Sequence, residues 1–146
     1  MIILDTTVLV YAVGAEHPLR APSRALLELI RDGLVRACTT VEVVQEFAHV
    51  RSRRRPRGEA AARARDYAVA LSPLARPEED ELVSGLRLFE DIDDLGPLDA
   101  VLAATALTRE WGLVSADRSF RRVAGLAYLD LSSSTFLADI RTATAG

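Results

Sequence analysis

The chain has 146 residues, a net charge of −3, 49% hydrophobic and 27% charged residues, which excludes a disordered segment. No apolar run approaches the roughly 20 residues of a membrane span, and acidic Asp5 stands where a secretory leader would be basic, so none is expected. A lone cysteine, Cys38, excludes a disulfide framework, fits a reducing cytoplasm and reads as a small buried residue. At this length the chain reads as one domain, residues 1–146, able to bury about 70% of its extended-chain surface.

Ile2 to Leu4 is an apolar run that predicts a buried strand ending at Asp5. Thr6 to Val13 follows as a short helix capped by Asp5 or Thr6, and Pro18 and Pro22 bracket a loop. Ser23 is placed as the cap of a helix over Arg24 to Arg31, ended by Gly33. Leu34 to Thr39 predicts a second strand, and Thr40 opens a helix to about Arg51 with Val43, Val44, Phe47 and Val50 at helical spacing.

A Pro-broken connection, Arg51 to Gly58, carries five arginines and leads to a helix over Glu59 to Leu71. A short third strand is expected near Leu74-Ala75. Pro77 to Glu90 is a helix with acids at its positive end. Gly96-Pro97 sets up an alanine-rich helix from Leu98 to Glu110, and further strands fall at Leu113-Val114 and Ala127 to Leu131. Strands alternating with helices imply an α/β fold, a parallel sheet covered on both faces, with the strand ends gathered on one side. Asp5, Thr39-Thr40 and Ser115 to Asp117 all follow strands, so they converge where such sheets bind ligands.

All 18 basic residues are arginines, and they are unevenly spread: residues 1–76 carry a net +4, residues 77–146 a net −7. Codon bias explains the missing lysine most simply, although arginine forks also suit phosphate.

Asp5, Glu46, Asp99 and Asp117 stand where folding does not demand an acid. Each has a plain structural reading as a helix cap, a dipole partner, a turn former or a solvent-facing acid. Their contexts carry more together: Ile2 to Ala12, Thr40 to Phe47, Leu98-Asp-Ala-Val-Leu-Ala-Ala-Thr-Ala106 and Leu113-Val-Ser-Ala-Asp-Arg-Ser-Phe120. In these stretches the chain resembles the PIN-domain nucleases, and within them the VapC-type toxins of bacterial toxin–antitoxin pairs.

The resemblance implies a three-layer α/β/α sandwich on a mostly parallel five-stranded sheet. It puts an acidic quartet on Asp5, Glu46, Asp99 and Asp117 as catalytic and metal-holding groups, with Glu42 competing for the second place. Ser115, and Thr6 or Thr7, would hold the site by hydrogen bonding. The implied activity is RNA phosphodiester hydrolysis by an endoribonuclease. Oxygen-only ligands with spare coordination sites suit Mg²⁺ or Mn²⁺. The implied partners are a VapB-type antitoxin, an RNA substrate, a second copy of the chain and a toxin–antitoxin hetero-oligomer. Val8, Tyr11 and Leu27 are candidates for a dimer face.

Arg53, Arg54 and Arg55 could meet an RNA backbone, or simply form a solvated loop after a helix C-terminus. His49, one turn past Glu46, reads as a structural or surface residue; Tyr67 and Trp111 read as packing residues. A dehalogenase-type phosphatase needs a second aspartate where Thr7 stands, and a receiver domain needs a lysine. The remaining competitor is a PIN fold that binds RNA or protein without catalysis.

Overall fold

The computed structural model describes residues 1–145. Its elements run β1 Ile2–Leu4, α1 Thr6–Val13, α2 Arg20–Arg31, β2 Ala37–Cys38, α3 Val41–Ser52, α4 Arg57–Ala70, α5 Glu79–Asp91 and α6 Pro97–Thr108. Then come β3 Gly112–Ser115, a 3-10 turn over Arg118–Arg122, β4 Tyr128–Asp130 and α7 Phe136–Thr144. The sheet is wholly parallel in the order β2-β1-β3-β4. Ile2 to Leu4 and Leu113 to Ser115 are buried without alternation, the signature of strands covered by helices on both faces. β4 is half-buried and forms one edge.

The sheet has four strands, not the five expected. Leu74-Ala75 contributes only an isolated parallel bridge, Thr40 to Ala75. Ala75 N donates to Thr39 O at 2.8 Å and Val41 N to Ala75 O at 3.4 Å. In a parallel ladder the next donors along this segment are residues 73 and 77, and both are prolines without an N–H.

Other boundaries move for equally local reasons. α2 begins at Arg20, with Pro22 tolerated in its first turn. Ser23 is not its cap: the hydroxyl donates back to Leu19 O at 2.7 Å inside the helix. Arg57 and Gly58 belong to α4, and α7 lies where no element was expected. Val8 is fully buried within the chain rather than on a dimer face.

The core joins Phe47, Phe120, the apolar residues of β1 and β3, and α6 alanines such as Ala100 and Ala103. Phe47 meets Tyr67 edge-on at 4.9 Å, and the Tyr67 hydroxyl donates to Leu9 O at 2.8 Å, tying α4 to α1. α5 lies so close to α6 that a Cβ on Gly85 would come within 2.6 Å of Val101 Cα. Arg109 donates Nε to Glu81 Oε1 at 2.8 Å and Nη2 to Oε2 at 3.0 Å, pairing a carboxylate that is 2% exposed. Among the described residues no helix is long and apolar enough to cross a membrane.

Candidate active site

β1 delivers Asp5 to the N-cap position of α1, and Asp5 N donates to Val114 O at 3.0 Å. The residue therefore sits between β1 and β3, where chain order along the sheet reverses and open α/β sheets form their crevices. Its side chain is held from two sides. Ser115 Oγ donates to Asp5 Oδ2 at 2.6 Å, and Thr7 Oγ1 donates to the same oxygen at 3.0 Å. Both hydroxyls also accept: Thr7 Oγ1 from Ala116 N at 3.0 Å, and Ser115 Oγ from Asp117 N at 2.9 Å. Asp5 is 3% exposed, and this burial lifts its pKa against the lowering effect of the two hydroxyls.

Glu46 comes from α3, whose start is capped by Thr40 Oγ1 accepting from Val43 N at 3.1 Å. The Thr6 hydroxyl donates to the Glu46 carboxylate. Asp99 lies in the first turn of α6, which Pro97 opens at a position where no N–H is needed. Asp117 caps the 3-10 turn, Oδ1 accepting from Ser119 N at 2.9 Å, so its structural reading holds as well.

All four carboxylates line one cavity of about 260 Å³, together with Thr6, Thr7, Val10, Tyr11 and Val50. No lysine, arginine or histidine is among these residues. Burial, then the charges of Asp5, Glu46 and Asp117, lift Asp99 to about 7. An acidic basin of this kind favours a cation. Among the described residues no group of three or more Asp, Glu, His or Cys side chains is drawn together closely enough to hold a metal ion by itself. Mg²⁺ asks less of the protein than a complete cage, because that ion keeps several waters and takes only one or two carboxylates besides substrate oxygens.

Glu42 faces elsewhere, lining a separate cavity with Glu78 and Glu79, and its Oε2 is buried without a hydrogen-bond partner. Thr6 and Thr7 divide the work that a single threonine was expected to do, Thr6 reaching Glu46 and Thr7 reaching Asp5. The signal for Thr7 was its place two residues after an aspartate at a helix start, where short hydroxyl side chains bond locally. His49 is exposed and its ring nitrogen lies 3.1 Å from Arg53 Nη2, outside the acidic cavity. Arg54 and Arg55 line a neighbouring cavity; Arg53 does not. Tyr11, weighed for a dimer face, lines both cavities.

An acidic basin at the switch point of a parallel 2-1-3-4 sheet places the chain among doubly wound α/β proteins with a ligand site at the strand ends, and the sequence settles which family. The PIN domain profile matches residues 2–126. The chain belongs to the PIN-domain family and groups with its VapC ribonucleases. It is 49% identical over 131 residues to Ribonuclease VapC7 of Mycobacterium tuberculosis (strain ATCC 25618 / H37Rv), covering 88% of this chain and 90% of that protein. It is 32% identical over 136 residues to the VapC ribonuclease Mb1869c of Mycobacterium bovis, covering 88% and 99%. The fold resembles a chain of the VapBC2 structure from Rickettsia felis, solved bound to a promoter DNA fragment, with TM-score 0.70, 19% identity and coverage of 89% and 98%. It also resembles VapBC-1 from nontypeable Haemophilus influenzae, with TM-score 0.68, 15% identity and coverage of 91% and 100%.

Proposed function

We propose that the protein is an Mg²⁺- or Mn²⁺-dependent endoribonuclease toxin that hydrolyses RNA phosphodiester bonds and is neutralised by a cognate VapB-type antitoxin. The observation that carries this reading is the cavity in which Asp5, Glu46, Asp99 and Asp117 meet with no basic residue among its lining. Asp5 and Asp99 would be the principal ligands, with Glu46 and Asp117 completing the acidic set. The bound ion would neutralise charge developing on the phosphoryl oxygens and make a water more acidic. Ser115 and Thr7 keep the Asp5 carboxylate aimed, and Thr6 does the same for Glu46. Ser115 also fixes the turn that presents Asp117, by accepting from its backbone N–H.

A second cavity supports the antitoxin part of the reading. A groove of about 640 Å³ is lined by apolar residues including Ala12, Leu27, Ile30 and Leu71 and by charges of both signs, Arg24, Arg31 and Arg63 with Glu28 and Asp66. An apolar lining bordered by charges of both signs suits an amphipathic helix.

The reading is tested by incubating purified protein with cellular RNA, with and without Mg²⁺ or EDTA, beside Asp99→Asn. Cleavage should require the ion and vanish in the variant. Metal-independent cleavage, or full activity in Asp99→Asn, sinks the mechanism. RNA binding without cleavage in the presence of Mg²⁺ points instead to a non-catalytic binding module.

A further inference from the structure

We propose a nucleotide subsite beside the acidic cavity, in which Tyr11 stacks the base, and Arg54 and Arg55 hold the phosphate, of an unpaired nucleotide flanking the scissile bond. This rests on the endoribonuclease reading above. The two cavities share a wall: Val10, Tyr11 and Val50 line both the acidic one and a second one of about 470 Å³. A strand laid through the acidic cavity has this second space as its immediate continuation.

The second cavity carries what the first lacks. Arg51, Arg54 and Arg55 all line it, but they differ in availability. Arg51 is already committed, donating to both oxygens of Glu59 at 3.0 and 2.8 Å and to Val13 O at 3.1 Å. Arg54 and Arg55 are exposed and form no ion pair among the described residues. They are the cations open to an incoming phosphate, and they offset the repulsion that a polyanion meets at four neighbouring acids.

Tyr11 supplies the remaining feature. Its ring is braced by the stacked imidazole of His17, centroids 4.5 Å apart and 27° from parallel. His17 is held in turn, its Nδ1 accepting from Leu19 N at 3.1 Å. A fixed aromatic ring beside unpaired arginines is the combination that binds single strands, because every base offers a π-face and every nucleotide a phosphate. A base already paired in an A-form helix cannot turn into such a pocket, so the geometry selects loops and single strands.

The test measures affinity by anisotropy for a fluorescein-labelled RNA pentamer of mixed sequence, in EDTA so that the strand stays whole. Tyr11→Leu should weaken binding roughly tenfold while Tyr11→Phe stays within about twofold of the parent, since stacking tolerates loss of the hydroxyl. Arg54→Gln with Arg55→Gln should flatten the slope of log K against log salt by about 0.7, corresponding to one neutralised phosphate on a single strand. Arg36→Gln with Arg87→Gln, two exposed arginines outside both cavities, serves as the charge-matched control and should leave both quantities unchanged. Unchanged affinity in Tyr11→Leu, or equal affinity for the pentamer and its duplex, overturns the subsite. So does a Tyr11→Leu protein that loses only antitoxin binding, which would make this a peptide groove. A parallel cleavage assay in Mg²⁺ separates the two readings. Tyr11-dependent binding without cleavage keeps the subsite and sinks the nuclease; cleavage with Tyr11-independent binding does the reverse.

Discussion

Ser115 and Asp5 are 110 positions apart in sequence and 2.6 Å apart in space, the Ser115 hydroxyl donating to Asp5 Oδ2. The same serine oxygen accepts from Asp117 N, so one side chain sets both a buried carboxylate and the turn carrying a second one. Groups that orient a metal ligand typically contribute about 10–100-fold in affinity or activity. Ser115→Ala is expected to lower RNA cleavage by that factor and to raise the Mg²⁺ concentration giving half-maximal rate. A titration that superimposes on that of the parent would remove Ser115 from the site.

The cavity assignments separate Glu46 from Glu42. Glu46→Gln should reduce cleavage by about a hundredfold or more, the order seen when one electrostatic stabiliser is lost. Glu42→Gln should leave the rate within about twofold, because Glu42 lies in a different cavity beside Glu78 and Glu79. Removing a negative charge there should hold or raise the melting temperature. Rates under saturating Mg²⁺ decide between them, and equal losses would contradict the placement.

Without a divalent ion, stability should depend on pH in a definite sense. Asp99 is lifted from 3.8 to about 7, and Asp5 moves in the same direction. The folded protein therefore holds protons that the unfolded chain releases, and stability falls as pH rises from about 4 through 7. Glu81 and Asp130, whose hydrogen bonds and arginine partners lower them despite burial, act oppositely and lose their contribution as pH drops below the usual carboxylate range. The metal-free protein should melt higher at pH 5 than at pH 8, and Mg²⁺ should restore far more stability at pH 8. Calorimetry with and without EDTA measures both, and a Mg²⁺ effect equal at the two pH values counts against the acidic cluster.

The Arg109–Glu81 pair predicts a loss confined to stability. Glu81 is almost wholly buried, and Arg109 additionally donates to Arg76 O at 2.7 Å. Breaking such a pair from one side strands a charge and costs about 3–5 kcal/mol. Arg109→Met should lower the urea midpoint accordingly, and adding Glu81→Leu should recover a large part. Cleavage per folded molecule should be the same in both. If the double variant is no more stable than the single one, the stranded charge is not the cause.

The fold could be read from local pattern where one period dominated. The unbroken run Ile2 to Leu4, the helical stripe from Val43 to Val50 and the Gly96-Pro97 helix start all appear in the structure near their expected bounds. Reading failed where one residue type serves two purposes. Ser23 looked like a cap but bonds back inside a helix, and Pro22 looked like a breaker but sits in a first turn. α7 follows a serine-rich stretch that obscured the short apolar pattern of Phe136, Leu137 and Ile140. For the candidate site, each acid could be named from its own segment, yet their sharing of one cavity depends on sheet order. The division of labour between Thr6 and Thr7 depends on which way each side chain leaves the first turn of α1, and no spacing rule supplies that.

The one-residue bridge at Ala75 bears on how the molecule behaves in a crowded cell. The outer side of β2 would otherwise offer unpaired backbone groups to another chain, the usual route to edge-to-edge aggregation. Ala75 occupies Thr39 O and Val41 N just beyond β2, while Pro73 and Pro77 deny the segment the donors needed to lengthen its own ladder. The segment covers the margin only at this point, just past the end of β2, without itself becoming a strand that a neighbour could extend. Two prolines, rather than surface charge, thus keep this bridge to a single residue.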